Sequence, residues 1–205
     1  MSWVSSPALL YEYCELTGLS VGVGGHVLHG GYGYASHTYG LALDNLIGAT
    51  LVLANGTVIT ADAITNSDIF WALRGAGSSY GIVTSLKFQT FPAPNSNIIF
   101  TYNTNFNSTQ ARKAVGVFQE YANTTMSREM NMRYFVRSYS GTLSGVYYGN
   151  RTAYDKEITP LLAKLGITGG TVTTKTWIDG LKEYAYANLE TDLSYDSHDT
   201  FVSSL

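Results

Sequence analysis

The 205-residue sequence has one cysteine, four prolines and only 13% charged residues. A single thiol, Cys14, excludes an internal disulfide framework and a cysteine-built metal site. Twelve Lys and Arg against fifteen Asp and Glu give a net charge of −3, and the cations are scattered, which leaves no basic stripe for nucleic acid or an anionic membrane. No apolar run approaches a bilayer span, and MSWVSSPALLYEYCELTG has neither the basic start nor the apolar core of a signal peptide. Neither a nucleic-acid nor a membrane partner is expected.

What is abundant is glycine (21), tyrosine (16) and apolar residues (45%), the composition of a folded chain with an ample core. Glycine concentrates in residues 21–33, VGVGGHVLHGGYG, where either unusual backbone angles or close approach of a ligand is expected. Four N-x-S/T sequons, at Asn55, Asn107, Asn123 and Asn150, lean toward a secreted full-length form.

After the glycine run, Ala49–Ala54 predicts a strand, Asn55-Gly56 a hairpin turn and Thr57–Thr60 the returning strand. Asn66 and Ser67 offer caps for a short helix over IFWALR that Gly75–Gly77 should end, and Tyr80–Phe91 predicts a strand stopped by Pro92 and Pro94. These prolines mark an expected domain boundary near residue 95. Beyond it the pattern predicts a strand at Ile98–Tyr102, a helix after a Ser108 cap, strands at Met132–Tyr139 and Thr142–Tyr148, and a helix carrying Ile158, Leu161, Leu162 and Leu165. Thr159-Pro160 places either a kink or the start of that helix. A strand at Thr171–Thr176 and a helix at Ile178–Asn188 follow, before a polar stretch over 190–205. The order from 98 to 176 is β-α-β-β-α-β, an antiparallel sheet with helices on one face.

The glycine run fails the Rossmann pattern, because Val27 stands where the third glycine belongs, and no G-K-[ST] makes a Walker loop. Successive backbone N–H groups forming an anion nest remain open. His26, His29 and His37 have no nearby Asp, Glu or Cys to complete a metal set, so pocket-lining histidines are the simpler expectation. No G-x-S-x-G elbow exists, and Asp44, Asp62 and Asp68 fall at turn or cap positions. Tyr134, Tyr139 and Tyr147 alternate as sheet-face packing does, against the alternative of a sugar-stacking platform.

Several blocks in order, GVGGH, HGGYG, GLALDN, LANG, DIFWALRGAGSSYGIVT and FPAP, resemble the FAD-binding domain of the FAD-linked oxidases of the vanillyl-alcohol oxidase and p-cresol methylhydroxylase (PCMH) type, in the berberine-bridge-enzyme-like and fungal oligosaccharide oxidase branch. The resemblance covers about residues 20–94 and, more loosely, the following sheet region. It implies an α+β fold: an atypical segment over 1–19, the second half of a PCMH-type FAD-binding domain over 20–94, and the start of an antiparallel-sheet substrate domain over 95–205. It further implies that Gly22, Val23, Gly24, Gly25 and His26 line FAD, that Gly30, Gly31 and Gly33 shape the flavin side, that Gly40, Leu41, Asp44 and Asn45 continue the wall, and that Ile82 and Val83 meet the cofactor through the main chain. No catalytic base and no metal ligand is expected in the chain.

The sequence also departs from that family. Doubly tethered members bond the flavin through a cysteine eight residues before the histidine of GVGGH; here Gly18 stands there, and Cys14 lies four residues earlier. The family's first phosphate-binding loop and its catalytic tyrosine have no counterpart in the sequence, so the chain is expected to be the middle of a family member, with unpaired sheet edges. The implied activity is oxidation of an alcohol, sugar or related small molecule by hydride transfer to flavin with oxygen as acceptor; the alternatives are an FAD-binding remnant without turnover and a flavin-free carbohydrate-binding module.

Overall fold

The computed structural model describes residues 22–137 and 140–184. The expectations for Cys14, Gly18, the 1–19 segment, Tyr139 and the polar 190–205 stretch lie outside the described residues, as does the last helix beyond Tyr184.

Two antiparallel sheets follow one another along the chain. The first has three strands, β1 (Leu46–Val52), β2 (Val58–Asp62) and β3 (Ile82–Phe88), in the order β2-β1-β3. The glycine-rich segment precedes it as a short helix α1 (Val23–Val27), a single turn α2 (Ser36–Tyr39) and a 3-10 turn over Ala42–Asn45. The β1–β2 hairpin turns at Asn55-Gly56 as expected, with Gly56 at φ 81°, an angle that favours glycine. β1 starts at Leu46 rather than Ala49, because Leu46 is buried and its strand partner is Phe88.

Helix α3 (Ser67–Ala76) connects β2 to β3. Asn66 sits at its cap position but does not cap it: the residue is left-handed (φ 48°), and its side-chain amide donates instead to the Thr60 carbonyl at 2.7 Å. The backbone leaves helical geometry at Arg74 and Gly75, where Gly75 takes φ 138°, in line with the expected stop. The preceding turn is held by the Asp62 carboxylate, which accepts from the amides of Ile64 and Thr65; those bonds lower its pKa.

The second sheet runs β4 (Asn97–Thr104), helix α4 (Ser108–Thr124), β5 (Met130–Val136), β6 (Gly141–Tyr147), helix α5 (Arg151–Leu165) and β7 (Thr171–Lys175), in the order β5-β6-β4-β7. This is the predicted β-α-β-β-α-β sequence. The cap of α4 is Asn107, one residue before the expected Ser108, and its side-chain carbonyl accepts from the amides of Thr109 and Gln110. α5 begins at its Asn150 cap and carries Pro160 in its interior, so Thr159-Pro160 is not its start. Asn150 accepts from Ala153 N and Arg151 pairs with Asp155, which sets the true start two turns earlier. Both helices pack on one face of the sheet, around Phe100, Tyr102, Met130, Leu143, Tyr121, Tyr154, Ile158 and Leu161. Tyr134 and Tyr147 point into this layer, as sheet-face packing predicts. A final helix, α6 (Trp177–Tyr184), covers part of the other face through Trp177 and Leu181.

Candidate functional site

The glycine-rich segment folds back on itself. His26 N bonds Gly22 O at 3.3 Å and Leu28 N bonds Gly24 O at 3.1 Å, which makes α1; the amides of Ala42 and Leu43 then donate to the carbonyls of Gly31 and Gly30 at 2.8 and 3.0 Å. Gly31 (φ 81°) is required by packing, since a Cβ there would collide with that of Ala42 and lie 3.1 Å from His26 Cδ2. At Gly40 (φ 84°) a Cβ would press on the Asp44 carboxylate at 3.1 Å.

Gly30 has open space around it but takes φ 121°, which itself favours glycine; Gly22, Gly24 and Gly25 differ from all of these, because a Cβ on any of them would meet nothing within 4 Å at an ordinary φ. No neighbour among the described residues accounts for their bare backbone. Beside them, His26 Nε2 is buried and has no hydrogen-bond partner among the described residues. Desolvation lowers the pKa of this imidazole and keeps it neutral. Open backbone next to an orphaned buried nitrogen is an arrangement suited to a flat, polar cofactor seated against α1, and FAD fits it.

The other expected site residues divide by role. Asp44 Oδ2 accepts from Leu41 N at 2.8 Å, and buried Asn45 donates to the carbonyls of Tyr39 and Leu41, so both side chains hold the loop in shape. Gly33 N donates to Ser36 Oγ and starts α2. His29 bonds the Gly25 carbonyl through Nδ1 at 2.9 Å and Ser78 Oγ through Nε2 at 3.3 Å. The amides of Gly75 and Gly77 reach Leu28 O, which brings the RGAG turn against α1. Val23 packs on the first core. Ile82 and Val83 open β3, an edge strand among the described residues; Val83 packs on the core and Ile82 is 73% exposed.

His37 has a role the sequence did not disclose. Its amide donates to Asn131 Oδ1 at 2.9 Å and its Nδ1 bonds Met130 O at 3.0 Å, while Thr38 Oγ1 donates to Arg128 O and Asn131 Nδ2 donates to Thr38 Oγ1, both at 2.6 Å. These bonds dock α2 on β5 and the residues just before it, at sequence separations of 90 to 94 residues. A third small core reinforces the joint: Tyr34, Ala35 and Tyr39 pack with Val146, Tyr148, Trp177 and Leu181, and Tyr39 stacks on Phe91 at 4.8 Å. His29 and His37 are thus engaged by different partners, and among the described residues no group of three His, Cys, Asp or Glu stands close enough to hold a metal.

Along this joint runs a cleft of about 330 Å³ lined by Tyr32, Tyr34, His37, Asn131, Met132 and Arg133. A second hollow of about 280 Å³ adjoins it on the sheet face that α4 and α5 leave uncovered, sharing Tyr34 and Arg133. Register places Thr101 opposite Ser144 and Thr171, Ser144 opposite Arg133, and Asn103 opposite Thr142 on that face. The ring of Tyr34 lies under the Arg133 guanidinium at 5.6 Å, and Thr142 Oγ1 donates to Asn103 Oδ1 at 3.1 Å. The face presents hydroxyls and the Asn103 amide beside Ile99, with an aromatic ring and a cation at one end.

Residues 8–62 match the family described as FAD binding domain. The chain is 45% identical over 187 residues to the xylooligosaccharide oxidase of Thermothelomyces thermophilus, across 89% of this chain and 38% of that protein. It is 33% identical to berberine bridge enzyme-like 25 of Arabidopsis thaliana, across 79% of this chain and 31% of that one. Among solved structures it superposes on the xylooligosaccharide oxidase from Myceliophthora thermophila C1 in complex with xylobiose with a TM-score of 0.82 at 44% identity, over 88% of this chain and 38% of that one. The chain thus spans well under half the length of the curated relatives it matches. In sequence and fold it is a homologue of part of the FAD-linked oxidases in the branch that holds the fungal oligosaccharide oxidases and the berberine-bridge-enzyme-like proteins.

Proposed function

We propose that the protein is an FAD-dependent oxidase of carbohydrates with oxygen as electron acceptor. The observation that carries this reading is the docking of the bare-backbone loop, through His37 and Thr38, onto β5 of a sheet whose open face is rich in hydroxyls. When bound, FAD supplies the acceptor for a hydride from the sugar and the route by which its electrons pass to oxygen.

The chain's own residues do the binding and positioning. Gly22, Val23, Gly24, Gly25 and His26 bring main-chain groups to the cofactor, and Gly30, Gly31 and Gly33 turn the loop around it. Gly40, Leu41, Asp44 and Asn45 keep the wall rigid through the hydrogen bonds among them. β3 is an edge strand, so one row of its main-chain groups at Ile82 and Val83 has no strand partner among the described residues and is available to the cofactor. Thr101, Asn103, Thr142, Ser144 and Thr171 offer alternating donors and acceptors that match sugar hydroxyls, and Tyr34 gives a ring to stack on. The carbohydrate activities named for the relatives support the same class, as does the xylobiose in the matched complex.

Purified full-length protein is expected to show flavin absorbance that an oligosaccharide bleaches without air, and that returns with hydrogen peroxide when air is admitted. Flavin that no oligosaccharide bleaches would instead support an FAD-binding remnant without turnover. Absence of flavin after FAD titration would overturn both.

A further inference from the structure

We infer that Asn55, Asn107 and Asn150 are acceptors for N-linked glycans. Each begins an N-x-T triplet, completed by Thr57, Thr109 and Thr152, and all six residues are exposed. The three buried asparagines among the described residues follow a different rule. Asn45, Asn97 and Asn131 precede Leu-Ile, Ile-Ile and Met-Arg, so none belongs to a triplet.

Local geometry is the second observation. In each acceptor the side-chain carbonyl is tied to backbone a few residues ahead: Asn55 Oδ1 accepts from Thr57 N at 3.0 Å, Asn107 Oδ1 from Thr109 N and Gln110 N at 3.0 and 2.9 Å, and Asn150 Oδ1 from Ala153 N at 2.8 Å. The amide is planar, so pinning Oδ1 on the backbone sends Nδ2 the other way, where it makes no hydrogen bond among the described residues. A glycan on Nδ2 leaves Oδ1 free to keep its capping bond. Asn123, the fourth triplet, lies in the last turn of α4 without such a bond and is not included.

Placement is the third. Asn55 is at the tip of the β1–β2 hairpin, and Asn107 and Asn150 open the two helices that cover the second sheet on the side away from its hydroxyl face. None lies on the glycine loop, the cleft or the open face, so glycans at these points would shield the outer layer and leave the site clear. The reaction needs an oligosaccharide activated as a polyprenyl diphosphate. The bond between its first sugar carbon and the diphosphate breaks, a C–N bond to Nδ2 forms, the amide loses one proton, and the polyprenyl diphosphate leaves; no oxidation occurs.

The test is full-length protein secreted from a eukaryotic host and treated with peptide N-glycosidase in heavy-oxygen water, which turns each glycosylated asparagine into a labelled aspartate. Labelled Asn55, Asn107 and Asn150 are expected. The variants Thr57→Ala, Thr109→Ala and Thr152→Ala keep every capping carbonyl, and each is expected to lose one glycan step in gel mobility while still being secreted. Unlabelled asparagine at these three positions, label confined to Asn123, or a protein that stays in the cell and gains no glycan would each overturn the inference. The oxidase reading is tested by flavin bleaching and does not depend on this outcome.

Discussion

In the second sheet, Tyr154 is fully buried against Phe100 and Tyr147, with its hydroxyl on that of Tyr102 at 2.9 Å, and helices α4 and α5 close the layer. Among the described residues the first sheet has the kinked helix α3 and the short α1 for cover and a core of smaller side chains: Val27, Ala42, Ala49, Leu51 and Ala61 against Phe70 and Leu73. Trp71 on α3 is 74% exposed, and along β3 exposure alternates so that most of its side chains stand in the open. The region that would hold a large cofactor is therefore the thinner one, and its backbone is held by loop bonds and by its dock on the second sheet. A fold of this kind gains when a ligand binds its native state, because occupancy adds stability that the packing does not provide.

The contrast breaks most sharply at Tyr154. Tyr154→Ala should cost about 3–5 kcal/mol in denaturant unfolding, the ordinary penalty for emptying a large aromatic site, and it also strips the Tyr102 hydroxyl of its partner. Loss of the whole protein's cooperative transition is expected, because the first sheet leans on the second. A variant that unfolds only around β4–β7 while flavin stays bound would show the two regions to be independent.

Next in size is the dock. Asn131→Ala removes an acceptor from His37 N and a donor to Thr38 Oγ1, and should cost about 1–3 kcal/mol. Two unfolding steps in place of one, resolved by hydrogen exchange at α2 and in β6, are the expected sign. An unchanged single transition would mean that the small core around Tyr34, Ala35 and Tyr148 suffices alone.

The smallest effect belongs to His26. Burial favours its neutral form, so on acidification the unfolded chain takes up the proton before the folded chain does. The resulting stability is whole above the ordinary value of 6.5 and is lost as pH falls from there through the lowered folded value. The thermal stability of the flavin-free protein should fall as pH drops below about 6.5, and His26→Asn should flatten that part of the profile. A slope unchanged in the variant would assign the acid sensitivity to other groups.

Much of this contrast was legible in the sequence. Asn55-Gly56 marked its hairpin, and the run from Ile98 to Thr176 declared β-α-β-β-α-β, because alternation and helical spacing are local signals. Caps were misplaced by a residue or left uncapped where a competing bond won: Asn66 serves Thr60, and Asn107 rather than Ser108 reaches the first amides of α4. Pro160 was compatible with a helix start on propensity, yet tertiary burial of Tyr154 and Ile158 on either side of the preceding turn holds the helix through it. The dock of His37 and Thr38 had no sequence signal at all, since its partners lie ninety residues away and a histidine's bonding is invisible to periodicity. Within the glycine run no local signal separates Gly31, which packing demands, from Gly24 and Gly25, which it does not.

That distinction supplies the most direct test. Alanine at Gly24 and Gly25 together meets no neighbour within 4 Å and no unfavourable backbone angle, and alanine favours the helix they occupy, so the fold should be kept or slightly strengthened. FAD titrated onto this double variant of the full-length protein, followed by flavin absorbance after desalting, is expected to show little or no retained cofactor with the unfolding transition intact. Retention at the wild-type level would mean that FAD does not approach this backbone, and would contradict the account.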